Sequence, residues 1–159
     1  MTLDLRAPTD DDWPAILRCA CAAAPNAPDG NAAWLEARRS FDEASRVRRH
    51  YVGEGAEGVV AYGAIEEDAD ATRWRIFIVM SPENLAGPEG SSLFSQLMAD
   101  LHTHHAQAAW AREHADDTAF AEFARARGFT ETRRFLIDDP AAGAYQGVEV
   151  VEFERQFGN

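Results

Sequence analysis

Four residues in this chain pair a titratable group with a place in or just after an apolar, strand-like stretch: Tyr62, Glu66, Glu113 and His114. A carboxylate or a neutral imidazole can take a proton from a nucleophile, and a phenol can give one to a leaving group. Their common chemistry is therefore proton transfer. Each also has an ordinary structural reading, Tyr62 as a half-buried strand aromatic and the acids as solvated turns. The run His102-Thr-His-His105 places His102 and His105 on one helix face, but no carboxylates stand at metal-ligand spacing. Histidines are also favoured at a helix C-terminus, and no metal is expected here. Cys19 and Cys21 sit two apart on a helical stretch, point to different sides and read as small side chains rather than a pair.

The elements that must position these groups follow from periodicity. Leu3–Arg6 reads as a short strand. Thr9-Asp10-Asp11-Asp12 starts a helix with Pro14 in its first turn, ending near Pro25. A loop at 26–30 and a second helix over 32–44 follow. The period then changes to two: strands are expected over Arg46–Gly53, Val59–Glu66 and Thr72–Met80, joined by the turns Gly53–Gly58 and Glu67–Ala71 as antiparallel hairpins. A loop, Ser81–Glu89, leads to a helix from Gly90 to about His105, with Leu93, Phe94, Leu97, Met98 and Leu101 at three- and four-residue spacing. Then come a strand (Gln107–Arg112), a helix (Thr118–Arg127) closed by Gly128, and strands over Phe129–Ile137 and Val148–Gln156. The expected fold is α+β, a mixed, mostly antiparallel sheet of six to seven strands with about four helices, in one domain over 1–159.

Composition narrows the function. The 159 residues carry 27 acids against 15 basic residues, all arginine, for a net charge of −12. Such a chain is a poor nonspecific binder of nucleic acid or anionic membranes and mildly favours a cationic small-molecule partner. Neither a basic–apolar leader nor an apolar run of bilayer length is present in this sequence, so a cytoplasmic location is the expectation.

The stretch Asp116-Asp-Thr-Ala-Phe-Ala-Glu-Phe-Ala-Arg-Ala-Arg-Gly-Phe129 resembles the second signature block of the GNAT N-acetyltransferases, with Phe123, Gly128 and Phe129 in register. Asp116 and Asp117 stand for the family's acidic–amide pair. Upstream, Met80-Ser81-Pro82 resembles the end of the family's strand, and Gly90 follows eight residues after the proline. The family's phosphate loop then falls on Leu85-Ala86-Gly87-Pro88-Glu89-Gly90. Three positions depart from the pattern: Leu85 replaces Arg or Gln, Pro88 replaces a glycine and removes an N–H, and Glu89 adds a negative charge.

The resemblance implies acetyl-CoA as co-substrate and a primary amine, of a small molecule or a protein, as acceptor. It implies that the strand ending Ile78-Val79-Met80 splays from Gln107–Arg112 and receives the pantetheine arm, with an N–H near Val79 or Met80 on the thioester carbonyl. Leu85, Ala86, Gly87, Gly90 and Ser91 would surround the pyrophosphate, and Asp117 and Phe123 would complete the cofactor side. The helix tyrosine that protonates the leaving thiolate in many members falls on Ala124, which leaves Tyr62 as a substitute acid, and Glu66, Glu113 or His114 as the base. Arg125 or Arg127 would reach the ribose phosphate. The departures also suit a second outcome, a catalytically inactive GNAT-fold domain serving as a ligand-binding or dimerisation module. A homodimer would pair through Val148–Gln156. The acceptor pocket would lie at about Cys19–Arg39.

Overall fold

The strands over Gly58–Glu67 and Arg73–Met80 alternate their side chains between two apolar cores, and this alternation decides which residues reach the site. The computed structural model describes residues 3–24, 47–70 and 72–158. The expected second helix at 32–44 and the loop before it lie outside the described residues. The strands are β1 (Asp4–Arg6), β2 (Val47–Gly55), β3 (Gly58–Glu67), β4 (Arg73–Met80), β5 (Ala108–His114), β6 (Thr130–Leu136) and β7 (Glu149–Gln156). They form one seven-stranded sheet in the order β1-β2-β3-β4-β5-β7-β6. Every neighbouring pair is antiparallel except β4–β5, which is parallel. The described helices are α1 (Trp13–Ala23), α2 (Pro82–Ala86), α3 (Pro88–Thr103) and α4 (Thr118–Ala126), with 3-10 turns at Asp10–Asp12 and Pro140–Tyr145.

On one face, Trp13, Ile16, Cys19 and Ala20 of α1 pack against Val52, Tyr62, Ala64, Phe77 and Val79. On the other, Leu93, Leu97 and Leu101 of α3 and Phe120 and Phe123 of α4 cover Ala61, Ile65, Ile76, Ile78 and Met80. The three α3 leucines are fully buried, each such burial contributing about 1.5–3 kcal/mol. α4 ends on Gly128 at φ 84°, the left-handed cap that glycine adopts without strain. At the end of α3, His104 stacks on Trp74 at 4.8 Å and His102 on Phe157 at 5.6 Å. His105 itself takes the left-handed position at φ 59°. The histidine run thus caps a helix and packs against aromatics.

Two expectations are corrected. The segment 81–89 is not an open loop. Ser81 Oγ accepts from Asn84 N at 3.3 Å, Pro82 occupies the first helical position, and α2 forms before α3 begins at Pro88. Nor is β7 an edge for dimerisation, because it is paired on both sides, to β5 and to β6. The edge beside it is β6, which is exposed along most of its length and carries Glu131, Arg133 and Arg134, charges that discourage strand addition.

Candidate active site

The parallel ladder between β4 and β5 is short. It pairs Arg73 with Ala108, Trp74 with Ala109 and Arg75 with Trp110, and then stops. β4 continues to Met80 alongside β3, and β5 continues to His114 alongside β7. The two central strands therefore splay into a V that opens toward their C-terminal ends. Thr72 O accepts from Ala108 N at 3.1 Å, which fixes the phase of the main chain. Period-two alternation then aims the N–H and C=O of Ile78 and Met80 across the gap toward β5, where the ladder offers them no partner. Val79 is of opposite phase and faces β3, opposite Tyr62. Of the two N–H groups expected at the thioester, Met80 has the right direction and Val79 does not.

A cleft occupies the open end of this V. Phe77 through Met80, Pro82 and Leu85 form one wall, Glu113, Asp117 and Phe120 the other, and the small side chains Ala20, Ala23 and Ala24 of α1 the third. It is open to solvent at its mouth. Leu85 is buried in this wall, which explains a leucine where a polar side chain was expected: α2 turns position 85 inward.

Beside the cleft, α3 presents its N-terminus. Pro88 is its first residue, where the missing N–H costs nothing to the helix. Among the described residues, the N–H groups of Glu89 and Gly90 have no backbone acceptor, the normal condition of a first helical turn. The Glu89 carboxylate folds back toward Gly87, where a built Cβ would meet Oε2 at 2.7 Å, but takes no hydrogen bond from these amides. Gly90 is buried, and a Cβ there would collide with the Leu85 carbonyl. Ser91 is exposed, and its Oγ accepts from Arg127 Nη2 at 2.9 Å. The Arg127 guanidinium lies 3.8 Å over the Phe123 ring, and burial there pulls its pKa down. It has no carboxylate within salt-bridge distance among the described residues. One cation and two free amides thus stand together in an acidic chain.

The remaining expected residues divide. Asp117 and Glu113 line the cleft. Asp117 opens α4, its Oδ1 accepting from Phe120 N at 3.0 Å. Burial is the main cause that pushes its pKa up, opposed by the Phe120 N–H and by His114. His114 is buried, which pulls its own pKa down. Glu66 stands at the closed end of the V, 3.8 Å from Arg75 Nε, and does not line the cleft. Tyr62 is fully buried between Trp13 and Phe77 in the α1-side core, its hydroxyl 3.2 Å from His50 Nδ1, and does not line the cleft either. Phe123 supports the site from below, edge-to-face with Phe94. Ala124 is buried and offers no hydroxyl. Ala86 is exposed at the end of α2, and Gly87 caps α3. Of the acceptor pocket expected at about Cys19–Arg39, Ala20, Ala23 and Ala24 line the cleft, and residues 25–39 lie outside the described residues.

Comparison with family models gives no match, and comparison with curated proteins gives none. Solved structures do match. Ard1 from Thermoplasma volcanium superposes with a TM-score of 0.74 at 14% identity, over 100% of both chains. The protein yncA from Salmonella typhimurium, solved with its cofactor acetyl-CoA, gives 0.69 at 16% identity, over 100% of this chain and 96% of that one. A GCN5-related N-acetyltransferase from Kribbella flavida gives 0.67 at 17% identity, over 98% of each. With the splayed β4–β5 pair between two helical layers, these likenesses show that the chain has the fold of the GNAT N-acetyltransferases.

Proposed function

We propose that this chain transfers an acetyl group from acetyl-CoA to a primary amine by direct attack, without a covalent enzyme intermediate. One observation carries the reading: the unpaired edge of β4 leads directly to the free amides of α3. The donors fit the cofactor in kind and in order. The Ile78 and Met80 main chain would hold the pantetheine arm as an added strand and polarise the thioester carbonyl. The Glu89 and Gly90 amides, the α3 dipole and Arg127 would hold the phosphates. Acetyl-CoA would supply the activated acyl group, and the chain supplies position and proton transfer.

Glu113 on the cleft wall favours a cationic amine over a neutral or anionic acceptor, in keeping with the net charge of −12. Glu113 is the cleft residue best placed to accept the amine's proton, since Glu66 and Tyr62 do not line the cleft. A second reading, an inactive GNAT-fold domain that binds a ligand or a second copy, draws support from the buried Ala124 where a proton-donating tyrosine is expected.

Thermal unfolding with and without acetyl-CoA tests the proposal. A ligand at a hundred times its Kd stabilises by about 2.7 kcal/mol, a readily measured rise in Tm. Free-thiol release with mono- and polyamines then separates the two readings. A raised Tm with no thiol release across the panel supports the inactive domain. No Tm change at millimolar acetyl-CoA contradicts both the cofactor and the enzyme.

A further inference from the structure

The departing sulfur leaves as a thiolate and needs a proton, yet position 124 carries a methyl group buried in the core and Tyr62 lies in the opposite core layer. The cleft itself holds two titratable side chains among its lining residues, Glu113 and Asp117. Asp117 is the more firmly placed. Its own N–H bonds His114 O at 3.0 Å and its Oδ1 takes the Phe120 N–H at 3.0 Å, so backbone on both sides fixes the carboxyl. Its second oxygen, Oδ2, takes no hydrogen bond within the described chain and is left for the cleft. The wall facing it, Ile78 to Met80 with Leu85, is apolar, as are the α1 alanines.

We propose that Asp117 is the acid that protonates the departing thiolate, an inference that rests on the acetyl-CoA reading above. The amine lone pair forms the C–N bond at the thioester carbonyl. The C–S bond breaks with its electron pair going to sulfur, and the Asp117 proton moves to that sulfur, giving the free thiol. The amine's surplus proton passes to Glu113 or water, and solvent reprotonates Asp117. Burial holds the carboxyl above its ordinary range, which is the direction an acid needs. Among the described residues, the titratable groups around it are Glu113 and His114 on β5 and Asp116 in the turn. Asp116 pushes the pKa up and His114 pulls it down, and no charged side chain lines the cleft from α1, α2 or β4.

The test uses the whole chain with two ligands, coenzyme A and its desulfo analogue. The Asp117 13Cγ resonance is followed against pH in both complexes, and the thiol of bound coenzyme A is titrated by thiolate absorbance in wild type and in Asp117→Asn. Asparagine is an equally good helix cap, so the variant keeps its fold. Two like-charged groups in contact raise each other's pKa. The expected result is a second step in the Asp117 trace at the thiol's pKa with coenzyme A and none with the desulfo analogue. The bound thiol should also titrate about one pH unit lower in the variant than in wild type. In turnover with the amine panel, kcat should fall about a hundredfold or more, with KM for acetyl-CoA within about twofold. Identical Asp117 traces in the two complexes, or an unchanged kcat, overturn the assignment while leaving the acetyl-CoA reading intact. A wild-type chain that binds neither ligand removes the reading itself, and the assignment with it.

Discussion

Arg127 Nη2 donates a 2.9 Å hydrogen bond to Ser91 Oγ, tying the end of α4 to the first turn of α3. The guanidinium rests on Phe123 and Phe94, which hold it in place without neutralising it. It therefore stands as a cation beside the first turn of α3, where the proposed function puts the phosphates. Arg127→Ala should weaken acetyl-CoA binding about tenfold or more, as loss of a charge-assisted hydrogen bond worth ~1.5–3 kcal/mol requires. S-Acetylpantetheine, which lacks the phosphates, should bind both proteins alike. Calorimetry with the two ligands checks this, and an equal loss for both would indicate a structural role.

Gly90 admits no side chain. A Cβ built there stands 2.1 Å from the Leu85 carbonyl oxygen, a backbone atom that cannot swing aside. Gly90→Ala must push α2 and α3 apart, and overpacking of this kind costs about 1–3 kcal/mol. A fall in Tm of several degrees is expected, accompanied by weaker acetyl-CoA binding. A wild-type Tm would mean that the two helices are not in contact here.

Glu89 is the one acid in the first turn of α3. It suits the helix dipole but opposes a bound polyanion. Glu89→Gln should tighten acetyl-CoA about two- to fivefold at low ionic strength, with the gain shrinking as salt screens the charge. Affinity measured at two salt concentrations distinguishes this from a packing effect, which salt leaves unchanged.

Asp117 also predicts a pH-dependent stability. Its pKa is raised in the folded chain above the ordinary 3.8, so the folded state binds its proton more tightly than the unfolded one. The resulting stabilisation is full below that ordinary value and is lost as pH rises through the folded pKa. Above the folded pKa the half-buried charge is a net cost. Asp117→Asn should therefore gain in urea midpoint relative to wild type as pH rises through that pKa, and hold no such advantage near pH 3. A difference between variant and wild type that does not change with pH contradicts the burial argument.

The architecture was legible because its signals are local. Three-and-four spacing from Leu93 to Leu101 places α3, and Phe123, Gly128 and Phe129 place the end of α4 and its exit into β6. The splay of β4 from β5 followed from the resemblance and is present. Segment 81–89 misled because Pro82, Gly87 and Pro88 read as loop punctuation, while Ser81-Pro82-Glu83 is equally a capped helix start. The place of β7 between β5 and β6 depends on pairing between segments far apart in sequence. Alternation identifies a strand but not its neighbours. Tyr62 lies in the α1-side core and outside the cleft lining, which periodicity alone does not tell, since it gives two faces without saying which of them borders the cleft.

The central claim is that the open edge of β4 and the first turn of α3 form one continuous cofactor track. Backbone amide NMR on titration with acetyl-CoA tests it directly. The Ile78, Met80, Glu89 and Gly90 amides should shift together, with one dissociation constant, while Tyr62 and Glu66 stay near their free positions. Saturating acetyl-CoA that leaves those four amides unmoved, or that moves residues elsewhere in the sheet instead, would contradict it.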